Sequence, residues 1–89
     1  MGIRNEKILQ GIKYHHEKMD GSGYPDGLEG KHIPLYARII GLCDIFDALT
    51  SSRSYGKAMS SFEALKLMKL EMKQQLDPVL LNKMIVMFR

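Results

Sequence analysis

The stretch LYARIIGLCDIFDALTS, residues 35–51, decides how this chain folds. Its apolar side chains Leu35, Ile39, Ile40, Leu42, Cys43, Ile45, Phe46 and Leu49 fall on most sides of a helical wheel instead of on one stripe. A helix apolar nearly all round belongs inside a fold. The sequence therefore predicts a central helix, the most buried of the chain, with Cys43 as a core thiol. Asp44 and Asp47 stand three residues apart and share a side of that helix. A carboxylate in such a setting is costly unless it is paired, hydrogen-bonded or bound to a metal. Backbone amides or Arg38 would be one form of compensation, and a cation the other.

Three further helices flank this one. Ile8, Ile12, His15 and Met19 keep the spacing of one helical face, which predicts a helix over 4–19 that ends at Asp20-Gly21. Ser60-Ser61-Phe62-Glu63 is a capping box and opens a helix over 61–73, with Phe62, Leu65, Met68 and Met72 as its core stripe. Asp77-Pro78 supplies an N-cap and a first-turn proline for a last helix over 77–88. Between the first two helices, Gly-Ser-Gly-Tyr-Pro-Asp-Gly (residues 21–27) lies in a stretch of four glycines and two prolines that reaches Pro34 and reads as a loop. A loop of that length in a small domain is usually functional. With no strand pattern and no repeat, the expected class is all-α, a small bundle of about four helices.

Composition narrows the function. A chain of 89 residues is at most one small domain, in which a single hydrophobic core gives marginal stability. Because a central helix needs neighbours all round, the chain is expected to self-associate or to expose apolar surface. Thirteen Lys and Arg against ten Asp and Glu give +3, which suits a small anionic ligand and falls short of a nucleic-acid footprint. No apolar run approaches the ~20 residues that cross a bilayer, and Met1-Gly2-Ile3-Arg4 lacks the apolar stretch of a signal peptide. A single cysteine excludes an internal disulfide framework and fits a reducing compartment, so the expected location is the cytoplasm.

The candidate chemistry sits at the end of the first helix and after the central one. His15 and His16 are adjacent, with Glu17 next. Neighbours on a helix point about 100° apart, so both imidazoles reach one centre only near the helix end, or each serves a different ion. Taken alone, the pair fits equally a histidine finishing an apolar stripe beside a solvated one. Arg53, Tyr55 and Lys57 follow the central helix, where cations would stabilise a metal-bound phosphodiester or would simply line a solvated loop.

The run His15-His16-Glu17-Lys18-Met19-Asp20-Gly21-Ser22-Gly23-Tyr24-Pro25 matches the signature H-H-E-x-x-D-G-x-G-Y-P at every specified place. The match continues through Gly27-Leu28, Gly30, Ile33-Pro34, Ala37-Arg38-Ile39, residues 44–51, Arg53, Tyr55 and Leu76-Asp77-Pro78. By these residues the chain resembles the HD-GYP family of cyclic di-GMP phosphodiesterases, a group of bacterial signalling hydrolases, over nearly its whole length. The resemblance implies an all-α domain holding two or three iron, manganese or similar divalent ions, and products pGpG or GMP. It implies His15, His16 and Asp44 as metal ligands, Arg53 and Lys57 as ligand-binding cations, and Glu17 and Asp47 as groups that orient ligands or close the helix end. The physical chemistry agrees, since imidazole and carboxylate suit such ions. Gly23-Tyr24-Pro25 has the residues of a tight turn, with glycine free at positive φ and proline fixing φ. In the family this loop is also linked to partners of the diguanylate cyclase, GGDEF type.

The pattern has departures. His15, His16 and His32 are the only histidines, there is no His-Asp dipeptide, and the lysine that follows it in the family is missing too. Gly56 stands where the family usually has a basic residue, with Lys57 beside it. Residues 1–89 are therefore read as the C-terminal part of an HD-GYP domain, inactive alone and holding at most a weak ion or none. An inactive helical module binding partners through the Gly23-Tyr24-Pro25 loop, and an enzyme completed by a second chain, are the alternatives.

Overall fold

The computed structural model describes residues 5–51 and 57–88; Arg53, Tyr55 and Gly56 lie outside the described residues. Among these residues four α-helices form, α1 (Glu6–Tyr14), α2 (Leu35–Thr50), α3 (Ser61–Glu71) and α4 (Pro78–Met87), with a single 3-10 turn at Gly30–His32. Among the described residues there is no strand, only an isolated antiparallel bridge between Asp20 and Glu29. The all-α expectation holds.

Local chemistry explains the helix starts. Asn5 caps α1, its Oδ1 accepting from the Lys7 and Ile8 amides at 2.9 and 3.3 Å. The predicted capping box is present on α3: the Glu63 amide donates to Ser60 Oγ and the Ser60 amide to Glu63 Oε1, both at 3.1 Å. Asp77 caps α4 through the Val79 and Leu80 amides, with Pro78 in the first turn.

The core is built by α2, α3 and α4. Leu42, Leu65, Met68, Leu76 and Leu81 are buried together, and Ile45, Phe46, Leu49, Met72, Leu80, Met84 and Ile85 pack around them. On its other side α2 takes α1 at very short range. A Cβ on Gly11 would lie 2.8 Å from Ile40 Cδ1, and one on Gly41 would lie 2.5 Å from the His15 carbonyl oxygen. Two helix-interior glycines, costly by propensity, thus permit the approach that seats the end of α1 on α2.

Four expectations need correction. The first helix stops at Tyr14 and not at residue 19: the Glu17 amide closes a tighter turn on the Tyr14 carbonyl at 2.9 Å, and the Met19 amide goes to the Gln75 carbonyl at 3.0 Å, a tertiary bond in place of a helical one. The central helix is not enveloped: α2 and α3 each bury three residues, and Leu35, Tyr36 and Ile39 of α2 are exposed. Cys43 is exposed too, on a stripe with Ile39 and Asp47 at four-residue spacing that turns away from both α1 and the core. Phe62, placed in the α3 core stripe, is 74% exposed, while Ala64, Leu65 and Met68 carry the packing. No helix among the described residues is long and apolar enough to cross a membrane.

Candidate functional site

Of the predicted site residues, His15 and His16 sit where α1 ends against the middle of α2. His15 is the C-cap of α1, and its Nδ1 lies 2.6 Å from the Ile12 carbonyl oxygen. A carbonyl can only accept, so Nδ1 carries the hydrogen, and in the neutral ring Nε2 presents its lone pair. This is the arrangement by which a metal-binding histidine is oriented and its tautomer fixed. The His16 ring stands beside it, centroid to centroid 4.0 Å with the planes tilted by 39°. The two imidazoles therefore lie side by side at the end of the helix.

Glu17 follows the end of α1 and faces the loop beyond it. Only 7% exposed, it sends its carboxylate into the loop, where Oε2 accepts from the Asp26 amide and Oε1 from the Leu28 amide, each at 2.7 Å. Two charge-assisted bonds offset the burial of that charge. Asp20 shapes the same loop: its Oδ1 accepts from the Ser22 hydroxyl at 2.6 Å and the Ser22 amide at 3.0 Å, and these bonds hold its carboxyl below the usual range.

The Gly23-Tyr24-Pro25 turn is tied down by contact. Among the described residues, Gly21, Gly27 and Gly30 are the glycines with positive φ; Gly23 is not one of them. Gly23 is required for another reason, since a Cβ there would collide with the His16 carbonyl, the Glu17 Cα and the Lys18 nitrogen, all backbone. The Tyr24 amide donates to the His16 carbonyl at 3.3 Å, and the Tyr24 ring stacks on the His16 ring with centroids 4.9 Å apart and planes 18° from parallel. Tyr24, Pro25, Asp26 and Gly27 are exposed at the tip.

Asp44 lies on α2 one turn beyond Gly41, the residue under the His15 carbonyl, and it is exposed. Exposure removes the desolvation argument made for Asp44 and Asp47 from sequence. The Arg38 guanidinium is committed elsewhere, to Asp77 at 2.8 Å and to the Ile33 carbonyl at 3.0 Å. At the C-terminal end of α2, Asp47 accepts from the Ser51 hydroxyl at 3.2 Å. Lys57 is exposed and Arg53 lies outside the described residues. Among the described residues, no three His, Cys, Asp or Glu side chains converge as a metal-holding group. The donors fit a divalent ion by their chemistry and by the preset His15 tautomer, but they supply only part of a shell.

A family profile described as the HD domain matches residues 3–80, most of the chain. The chain belongs to the HD domain family. Curated relatives include the cyclic di-GMP phosphodiesterase response regulator RpfG of Xanthomonas campestris, 50% identical over 64 residues, a match covering 72% of this chain and 17% of that protein. Another is the 3'3'-cGAMP-specific phosphodiesterase 3 of Vibrio cholerae, 48% identical over 64 residues, covering 72% of this chain and 14% of the relative. A crystal structure of a cyclic GMP-AMP specific phosphodiesterase of Vibrio cholerae superposes with a TM-score of 0.74 at 30% identity, over 92% of this chain and 19% of that one. This HD-family chain thus spans less than a fifth of the length of these relatives.

Two contributions to the site were missed by sequence reasoning. The Glu17 clamp joins residues nine and eleven positions apart across a glycine-rich loop, for which no periodic signal exists. Gly41 did carry a signal, being a glycine inside an apolar helix, where a close backbone approach is the usual cause.

Proposed function

We propose that this chain is part of a metal-dependent phosphodiesterase that opens a cyclic dinucleotide, cyclic di-GMP in the first place, to pGpG and GMP. His15, His16 and Asp44 act as metal ligands, and Arg53 and Lys57 meet the ligand's phosphate and guanine groups. The observation that carries this reading is the His15 side chain, whose Nδ1 is engaged by the Ile12 carbonyl so that Nε2 is free to ligate. When bound, divalent ions such as iron or manganese would polarise the phosphodiester and acidify a water. What the chain itself does is hold two imidazoles side by side, keep His15 in one tautomer, and fix the adjoining loop through Glu17. With three candidate ligands and no His-Asp dipeptide, the 89 residues alone bind at most one ion weakly and do not turn over substrate.

The exposed tip at Tyr24, Pro25, Asp26 and Gly27 favours a second reading, in which the loop also docks a GGDEF-type partner.

The test is a chimaera in which this chain replaces the matching 64-residue segment of the Xanthomonas relative. The chimaera should cleave cyclic di-GMP, assayed beside 3'3'-cGAMP with pGpG and GMP followed by chromatography. His16→Ala and Asp44→Asn should each abolish turnover, and the 89-residue chain alone should stay at background. A folded but inactive chimaera, or activity that survives both substitutions, would refute the proposal. Turnover by the chain alone that Asp44→Asn removes would refute its dependence on further residues.

A further inference from the structure

We propose that Tyr24 is a positioning residue, whose ring holds the His16 imidazole in the orientation that presents it to a divalent cation, and that Glu17 fixes the loop presenting Tyr24. The proposal rests on the reading of His16 as a ligand.

His15 and His16 are oriented by different means. The His15 ring is set by its bond to the Ile12 carbonyl. No hydrogen bond to a described residue involves the His16 ring; it lies instead against two described rings, His15 at 4.0 Å and Tyr24 at 4.9 Å. An imidazole held by its face keeps both ring nitrogens available, whereas one held by a hydrogen bond gives one of them up. Stacking is therefore the restraint compatible with a ring that must still donate a lone pair. Tyr24 itself is 61% exposed, so little core packing accounts for its position.

Tyr24 is brought there from both sides. Before it, Gly23 packs on the backbone of His16, Glu17 and Lys18, and the Tyr24 amide bonds the His16 carbonyl. After it, the amides of Asp26 and Leu28 are held by the buried Glu17 carboxylate at 2.7 Å. The tyrosine is thus flanked by attachments to the very residues that carry or adjoin the imidazole it covers. Movement of the loop relative to His16 requires breaking the Glu17 bonds first. The residues Glu17, Gly23 and Tyr24 form one device around His16, which gives the tyrosine of this turn a task beyond shaping it.

The experiment uses the full 89-residue chain, isotope-labelled, with two readouts at constant pH: the His16 ring-proton shifts without metal, and Zn²⁺ affinity by titration. Tyr24→Phe keeps the aromatic face and should retain the ring-current displacement of His16 and the Zn²⁺ affinity. Tyr24→Leu should lose the displacement and weaken Zn²⁺ about tenfold, the lower end of what outer partners of a metal-binding histidine contribute. Glu17→Ala should shift the Asp26 and Leu28 amides and release the His16 ring as well, with Glu17→Gln restoring part of both. Unchanged His16 shifts in Tyr24→Leu overturn the stacking. Lost shifts with unchanged affinity, in a chain whose Zn²⁺ binding His16→Ala weakens, overturn the positioning role. Zn²⁺ binding that is absent, or indifferent to His16→Ala, defeats the ligand reading instead, while the ring shifts still decide the stacking. Should Glu17→Ala fail to fold, the exposed Tyr24→Leu variant decides the matter alone.

Discussion

Replacing Asp77 with alanine attacks two junctions of the fold at once. Asp77 Oδ1 accepts from the Val79 and Leu80 amides at 2.9 and 3.3 Å, capping α4, and Oδ2 takes the Arg38 guanidinium of α2 at 2.8 Å. Loss of an N-cap costs about 1 kcal/mol. Leaving Arg38, 20% exposed, without its carboxylate adds about 1.5–3 kcal/mol, the size of a charge-assisted bond left unmade. The expected total is about 3 kcal/mol, a large share of the roughly 4–13 kcal/mol that a domain of 89 residues possesses. In a domain of this size that lowers Tm by about 12–24 °C. Asp77→Asn keeps an acceptor for the cap but loses the charge, and should cost about half as much. Chemical denaturation followed by circular dichroism measures both. Variants within about 0.5 kcal/mol of the wild type, the range of an ordinary surface substitution, would refute the assignment of α4 and α2 docking to this residue.

The pH dependence has a definite sign. Burial pushes the Asp77 carboxyl up, but the hydrogen bond from Arg38 and those from the Leu80 and Val79 amides outweigh it, so the group lies below its ordinary value of 3.8. A folded-state pKa below the unfolded one stabilises the fold above the unfolded value, and this contribution is lost as pH falls through the folded value. Stability should therefore be flat with respect to Asp77 above about pH 5 and decline below it. In Asp77→Asn that part of the acid limb should be missing.

Further outcomes follow from other contacts. Gly23→Ala places a methyl group against three backbone atoms of residues 16–18, so it should displace the loop, shift the Asp26 and Leu28 amide resonances, and cost about 2 kcal/mol or more; an unchanged amide spectrum would contradict the packing. Cys43 on the outward face of α2 should react with a thiol reagent in the native chain nearly as fast as in denaturant, whereas slow labelling limited by unfolding would restore the core reading. The exposed Ile8, Leu9 and Ile12 of α1 with Leu35 and Ile39 of α2 should drive concentration-dependent association; sedimentation as a compact monomer at high concentration would show that they do not.

Helix identity was determined by the sequence alone, because capping and periodicity act over a few residues. Ser60 with Glu63 and Asp77 with Pro78 start α3 and α4 where their side-chain chemistry demands. The eleven-residue signature likewise placed the chain in its family, since the chemistry of a site is written in the order of its residues. Tertiary structure decided what faces what. Apolar side chains all round residues 35–51 require neighbours without saying which sides these 89 residues cover, so Cys43 and Ile39 are exposed where packing was expected, as is Phe62 on the stripe of α3. Beyond the end of α1, Met19 bonds Gln75, 56 residues away in sequence, in place of a helical partner, and no local pattern encodes such a contact. For the same reason the meaning of Glu17 and Gly23 emerged only in three dimensions: a carboxylate that clamps a loop and a glycine that lets it lie on His16 act through contacts across space, which spacing along the chain does not record.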